Sequence, residues 1–144
     1  MRWMTRVVLA AAALAALVTT ETVGTSTPSN GYGVPRTVTQ EATLSLAVQK
    51  YGRTTSLTRG TVTGINATVN VGYSSGTARF VGQVVVQSRR AFLKAGDSGS
   101  LLVSDPDRNP VGLLFAANQT GTYAVANSIG AVLASLGGLT VDGQ

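Results

Sequence analysis

Apolar residues recur at every second position in several short stretches of this chain, and this alternation constrains the fold more than any other feature. In the first such stretch, Leu44, Leu46 and Val48 alternate with smaller or polar residues. A period of two places the apolar side chains on one face of a β-strand. Glycine-rich turns separate the stretches, and no helical pattern lies between them. The predicted strands cover residues 44–49, 60–71, 80–87, 100–103, 111–116 and 122–126.

The second predicted strand contains an irregularity. Val69 and Val71 share a face, whereas Val62 and Ile65 have opposite parity and cannot both point to the same side of a regular strand. One extra residue in a strand restores the register by forming a bulge. We therefore predict a bulge or bend near Gly64.

The period becomes helical after residue 127. Apolar residues then recur at helical spacing, at Ile129, Val132, Leu133 and Leu136. Asn127 or Ser128 can cap the start of a helix, and Gly137-Gly138 can end it. We predict one helix from about Ser128 to Leu136. Short strands that end in a single helix, without strand–helix alternation, indicate an all-β fold with a closed or nearly closed antiparallel barrel.

The composition excludes several kinds of chemistry. The 144 residues contain no cysteine and no histidine, which removes disulfides, thiolate catalysis and the usual transition-metal ligands. Asp105 and Asp107 lie in the segment SDPDRNP, which is typical of a turn. We therefore predict no metal and no cofactor. The net charge is +5, but the basic residues are scattered rather than clustered, so we predict no nucleic-acid partner.

The first 18 residues differ in composition from the rest of the chain. Arg2 and Arg6 precede an apolar run over residues 7–18, as in a secretory leader, although no A-x-A cleavage site follows the run. The alternative is a buried strand or helix. The protein is secreted if residues 1–18 act as a signal peptide, and cytoplasmic otherwise. Residues 24–43, rich in Ser, Thr, Gly, Pro and Asn, are predicted to form a linker before a barrel over residues 44–144.

The segment KAGDSGSLLV at residues 94–103 carries the clearest chemical signal. Gly96 allows a turn in which its N–H and that of Ser98 point into one pocket, where two N–H groups can bind an oxyanion. Gly99 permits close backbone approach. Asp97 needs a cationic partner if it is buried. A serine nucleophile also needs a base, which is usually a histidine.

Residues 24–144 resemble the C-terminal barrel of bacterial trypsin-like (chymotrypsin-fold) serine peptidases. The resemblance rests on motifs in the expected order: TPSNGYG, KYGRTTSLTRGTVTG, GDSG, LLVSDPDRNPVGLLFAAN and GTYAVANSIGAVLASLG. It implies a Greek-key-type barrel with a C-terminal helix and peptide or protein substrates.

The resemblance also implies site residues. Ser98 matches the nucleophile, and the amides of Gly96 and Ser98 match the oxyanion hole. Asp97 matches the neighbouring acid, with Arg53, or else another cation, as its expected ion-pair partner. The specificity pocket is expected to be lined by Phe92, Phe115, Ala116, Ala117 and Tyr123. Phe92 would form the floor of this pocket, and an apolar floor implies a preference for apolar substrate side chains. The alternative role for Phe92 is simple packing in the core.

The main departure is that the catalytic His and Asp of this family come from an N-terminal barrel, for which these residues have no equivalent. Residues 1–23 could be a remnant of its last strand. We therefore expect a truncated serine endopeptidase that is inactive without a complementing barrel. The alternative is a non-catalytic peptide- or protein-binding barrel. A third hypothesis is a hydrolase that uses Lys94 or Lys50 as the base. The simpler interpretation of both lysines is that they are exposed to solvent and have no catalytic role. An exposed inter-barrel face would favour self-association.

Overall fold

The computed structural model describes residues 24–144 and shows six strands followed by one helix. The leader or barrel remnant predicted at residues 1–23 lies outside the described residues. The elements are β1 (Ala47–Gly52), β2 (Ser56–Tyr73), β3 (Gly76–Gln87), β4 (Leu101–Ser104), β5 (Pro110–Ala117), β6 (Tyr123–Ser128) and α1 (Ile129–Ser135).

The strands close into an antiparallel barrel in the order β1-β2-β3-β6-β5-β4. Strands β1, β2 and β3 follow one another as hairpins, and the chain then crosses to β4, which pairs with β1. A fourth strand that returns beside the first is the Greek-key arrangement. The all-β, Greek-key barrel expected from the sequence is therefore confirmed, and closure leaves the ring without a free edge.

The barrel interior is filled by apolar side chains from all six strands and from the segment before β4. Every strand contributes residues to this core, as the period of two requires. The core comprises Val48, Val62, Val84, Val86, Phe92, Leu93, Leu102, Val111, Leu114, Ala124 and Ala126.

Strands β2 and β3 are longer than the barrel needs. Strand β3 pairs with β6 only over residues 84–87, and β1 pairs with β2 only over residues 56–61. The distal parts of β2 and β3, residues 67–73 and 76–83, pair only with each other among the residues described. They form a two-stranded ribbon that leaves the barrel. The register shifts at Gly64, where the sequence predicted a bulge.

The first predicted strand starts too early. Strand β1 begins at Ala47, whereas Leu44 lies outside it and is 60% exposed. Ser45 has a φ of 68°, which no regular strand allows, and its N–H donates to the Val62 carbonyl at 2.8 Å. The alternation that began at Leu44 is thus interrupted by a turn before the barrel begins. Val48 is in the core, as predicted.

The helix matches its prediction closely. Ser128, one of the two predicted caps, accepts a hydrogen bond from the Ala131 N–H through its hydroxyl at 3.4 Å. Gly137 and Gly138 follow the helix, and the Gly138 N–H donates to the Leu133 carbonyl at 2.9 Å. With seven residues, α1 is far shorter than the length of about 20 that a bilayer span needs, and no other helix occurs in residues 24–144.

The segment before the barrel, residues 24–43, contains neither helix nor strand but is tied to the barrel by its backbone. The N–H groups of Arg36 and Gln40 donate to the carbonyls of Arg108 and Pro110 at 3.0 and 2.8 Å. Pro35 accepts from the backbone of Gln144 at 2.8 Å, so this segment also contacts the end of the chain.

Candidate active site

The GDSG segment forms a tight turn that connects the core residue Leu93 to strand β4. The Asp97 N–H donates to the Lys94 carbonyl and the Ser100 N–H donates to the Asp97 carbonyl, both at 3.0 Å. Gly96 has a φ of 95°, and a Cβ there would collide with the hydroxyl of Thr54. Glycine is therefore required at position 96 both by its backbone conformation and by close packing.

The carboxylate of Asp97 anchors this turn. The residue is 1% exposed, and its carboxylate accepts four hydrogen bonds. Oδ1 accepts from the N–H groups of Thr54 at 2.7 Å and Thr55 at 3.1 Å. Oδ2 accepts from the Thr55 hydroxyl at 2.6 Å and the Lys94 N–H at 3.0 Å. The charge of Asp97 thus links the turn to the loop between β1 and β2.

The cation that faces Asp97 is Lys50, and the predicted pair with Arg53 is wrong. Lys50 is fully buried on β1, with Nζ 3.9 Å from Asp97 Oδ2. Its ammonium group also donates to the Ser56 carbonyl at 3.0 Å and to the hydroxyl of Thr55. Arg53 is exposed in the following turn and makes no ion pair within residues 24–144. Strand geometry explains the difference, since Lys50 points into the barrel and Arg53 lies beyond the end of β1.

The surroundings of Asp97 and Lys50 shift the pKa of both side chains. Burial raises the pKa of Asp97, but the hydrogen bonds from the Thr55 hydroxyl and from three backbone N–H groups outweigh it and hold the pKa below its ordinary value of 3.8. Burial lowers the pKa of Lys50 below its ordinary value of 10.5, and the Asp97 charge partly opposes this. Asp97 is therefore a carboxylate at neutral pH.

Gly52 makes room for the carboxylate. A Cβ at position 52 would overlap the Asp97 side chain, with Oδ1 as its nearest atom. The end of β1 therefore needs glycine because a charged group lies directly against its backbone.

Ser98 sits at the exposed side of the turn. Its hydroxyl donates one long hydrogen bond, of 3.4 Å, to the Phe115 carbonyl on β5. Within residues 24–144, the backbone N–H groups of Gly96 and Ser98 donate no hydrogen bond. Two unpaired N–H groups beside an exposed hydroxyl can receive a ligand oxygen.

An open pocket of about 580 Å³ adjoins Ser98. Three of the five residues predicted for the specificity pocket line it, namely Phe115, Ala116 and Ala117. Tyr123 does not line it. Its exposed side chain instead borders a second cavity, of about 380 Å³, beside the β2–β3 ribbon.

The predicted role of Phe92 as the pocket floor is not what the structure shows. The Phe92 side chain is fully buried in the core, and its ring lies 5.7 Å below the Lys50 ammonium. Its backbone carbonyl accepts from the Thr58 hydroxyl at 2.8 Å. The alternative reading, core packing, is the correct one for Phe92. The inference of an apolar floor therefore loses its basis, and Leu93 and Lys94 line the pocket instead.

The two lysines occupy very different positions. Lys50 is buried and directed at Asp97, Thr55 and Ser56, so the prediction that it is exposed to solvent is wrong. Lys94 is exposed and borders the pocket. Neither ammonium group makes a hydrogen bond to Ser98. The geometry thus gives no support to a lysine base.

Sequence reasoning missed Lys50, Thr54 and Thr55, although one signal was present. Lys50 lies two residues after Val48 and directly follows the predicted strand 44–49, so continuing the period of two by one residue places both on the core face. A lysine on a core face requires an anionic partner. That signal points to Lys50 rather than Arg53 as the partner of a buried aspartate.

No protein-family model and no curated protein sequence matches this chain. Solved structures do match it. Protease A of Thermobifida fusca is 25% identical with a TM-score of 0.62, over 77% of this chain and 56% of that protein. A glutamic acid-specific serine protease, which uses a histidine triad in substrate binding, is 25% identical with a TM-score of 0.60, over 76% of this chain and 55% of that protein.

A chymotrypsin of Cellulomonas bogoriensis matches in the same way, at 25% identity and a TM-score of 0.55, over 72% of this chain and 54% of that protein. The chain thus spans about half the length of the solved structures that it matches. These matches are bacterial chymotrypsin-like serine proteases. This chain therefore has the trypsin-like serine protease fold and corresponds to the C-terminal half of the bacterial members.

Proposed function

We propose that this chain supplies the nucleophile, the oxyanion-binding amides and the substrate pocket of a serine endopeptidase, and that the general base comes from outside its 144 residues. The observation that carries the proposal is the exposed Ser98 hydroxyl, which lies at a pocket beside the unpaired amides of Gly96 and Ser98. The ion pair of Asp97 with Lys50 holds the turn that carries these groups.

The proposed chemistry follows from these positions. Ser98 Oγ attacks the carbonyl carbon of a peptide bond while the base takes its proton, and the amides of Gly96 and Ser98 stabilise the resulting oxyanion. Return of the proton to the leaving nitrogen breaks the peptide bond, and water then releases the acyl group from Ser98. Phe115, Ala116 and Ala117 would contact the substrate residue that precedes the cleaved bond.

The 144 residues alone are proposed to be inactive. They contain no histidine, and Lys50, the buried lysine, is paired with Asp97. An alcohol without a base is a poor nucleophile at neutral pH. Loss of a catalytic-triad member typically lowers kcat by about 10⁴-fold or more.

Labelling by a fluorophosphonate tests this proposal. The probe is added to the 144-residue chain alone and to the chain mixed with a homologous barrel that carries the catalytic His and Asp. We expect labelling at Ser98 only in the mixture, since the amides orient the reagent but the base is needed for rapid attack. Ser98→Ala should abolish the label, whereas Ser29→Ala, in an exposed loop, should not. Fast Ser98 labelling of the chain alone would contradict the need for an external base.

A second candidate is a non-catalytic barrel that binds peptides. One observation favours it: the Ser98 hydroxyl makes a hydrogen bond only to the Phe115 carbonyl, so no basic group in residues 24–144 is directed at it. This candidate predicts peptide binding together with persistent absence of labelling after the His- and Asp-bearing barrel is added.

A further inference from the structure

The lining of the pocket beside Ser98 includes a basic side chain but no acidic one. Ten residues line the pocket, and Lys94 is the one with a basic side chain. The remaining lining side chains are apolar, hydroxyl or amide groups, and no carboxylate is among them. A basic ligand side chain would therefore find no partner there, whereas an acidic one would find an ammonium group.

The position of Lys94 is set by the same turn that holds Ser98. Its backbone N–H donates to Asp97 Oδ2 and its carbonyl accepts from the Asp97 N–H, both at 3.0 Å. Its side chain is exposed and makes no ion pair within residues 24–144. The backbone of Lys94 is thus fixed while its charge remains available to a ligand.

Several other polar side chains that line the pocket already have hydrogen-bond partners within the protein. The Asn118 side chain donates to the hydroxyls of Thr120 and Thr122, and it accepts from the Tyr123 N–H at 3.0 Å. The Thr54 hydroxyl donates to the Ala95 carbonyl at 2.7 Å. Among the side-chain donors of the lining, the Lys94 ammonium group and the Gln119 amide make no hydrogen bond within residues 24–144, and Lys94 is the basic one.

Nearby carboxylates do not cancel the charge of Lys94. Asp97 is buried, accepts four hydrogen bonds and faces Lys50. Asp105 pairs with Arg59 at 3.1 Å and borders a different groove. Arg53, next to the lining residue Thr54, is exposed and adds a second positive charge near the pocket.

We propose that Lys94 determines the substrate preference of this pocket and selects peptides with an acidic side chain, glutamate or aspartate, at the position that enters it. The inference rests on the proposed function, since it assigns a substrate class to the site of Ser98. The ammonium group of Lys94 forms an ion pair with the carboxylate of the ligand. The small side chains of Ala116 and Ala117 leave space for the rest of that residue.

Peptide binding measures this preference without requiring catalysis. The 144-residue chain is titrated with acetyl-Ala-Ala-Pro-Xaa-amide, where Xaa is Glu, Gln or Lys, and Kd is obtained from amide chemical shifts. Because the pair is partly exposed, we expect the Glu peptide to bind about two- to fivefold more tightly than the Gln peptide at low salt, and the difference to shrink in high salt. The Lys peptide should bind more weakly than either.

Substitutions assign the preference to one residue. Lys94→Gln should remove the difference between the Glu and Gln peptides, and Lys94→Glu should reverse the preference toward the Lys peptide. Arg90→Gln, which removes an exposed cation of the other groove, should leave the preference intact.

Two results would overturn the inference in different ways. Equal binding of all three peptides, or a Glu preference that survives Lys94→Gln, refutes the role of Lys94 but leaves peptide docking at Ser98 intact. A folded chain that binds none of the peptides refutes the proposed function itself, and the substrate class with it.

Discussion

At the scale of single residues, the buried pair of Lys50 and Asp97 is the feature on which the site depends. Asp97 fixes the turn that carries Ser98, and Lys50 offsets the cost of burying its charge. Arg53 was the sequence-based choice because it belongs to the recognisable GRTT motif. Strand parity, continued one residue beyond the predicted strand 44–49, favours Lys50 and is the signal that distinguishes it from Arg53.

Replacement of Lys50 tests this pair. Lys50→Met removes the ammonium group and leaves the Asp97 carboxylate buried without a cation, so we expect the free energy of unfolding to fall by about 3 kcal/mol or more. Arg53→Met, at the exposed position expected from the motif, should change it by less than about 0.5 kcal/mol. Urea denaturation of both variants gives the two values. Equal losses would contradict the assignment of Lys50 as the partner.

The pH dependence of stability follows from the lowered pKa of Asp97. As pH falls below 3.8, the ordinary pKa, the unfolded chain takes up the proton before the folded chain does. Asp97 therefore contributes stability above that pH and loses it as pH falls through the folded pKa. We expect the acid loss of stability, followed by denaturant unfolding, to be shallower in Asp97→Asn. An unchanged acid slope in that variant would contradict the contribution of Asp97.

The depressed pKa of Lys50 acts at the opposite end of the scale. Here the unfolded chain holds its proton to a higher pH than the folded chain, so this residue makes stability rise as pH increases toward 10.5. The two residues thus influence stability in separate pH ranges.

At the scale of elements, the sequence predicted the strands and the helix well because their signals are local. Each of the six predicted strands overlaps an observed strand, the parity conflict indicated the irregularity at Gly64, and the glycine pair marked the end of α1. The boundary error at Leu44 has a specific cause. Ser45 adopts a positive φ there, which a hydrophobic pattern does not reveal.

The β2–β3 ribbon should be the least protected part of the sheet. Residues 67–73 and 76–83 pair only with each other among the described residues, and an isolated two-stranded ribbon is marginally stable in water. We expect their amides to exchange with deuterium at least about tenfold faster than those of residues 84–87, which are also paired with β6. Uniform protection along β3 would contradict this description of the ribbon.

At the scale of the whole molecule, the barrel could be predicted from the sequence but the lining of its pocket could not. The roles of Phe92 and Tyr123 depend on which side of a non-strand segment or a strand end faces the pocket, and neither period nor motif fixes that direction. Neither period nor motif fixes the direction of the Lys94 side chain either. Self-association through an exposed inter-barrel face also stays a prediction, which sedimentation at several concentrations checks.

The crystal structure of the chain in complex with a homologous His- and Asp-bearing barrel and a peptide boronic acid tests the central claim most directly, because a boronate forms a tetrahedral adduct that imitates the oxyanion intermediate. We predict a bond from Ser98 Oγ to boron, with one boronate oxygen about 2.7–3.1 Å from the N–H groups of both Gly96 and Ser98. The peptide side chain next to boron should occupy the pocket lined by Phe115, Ala116 and Ala117. A boronate bound away from Ser98, or one whose oxygen points away from both amides, would contradict the account.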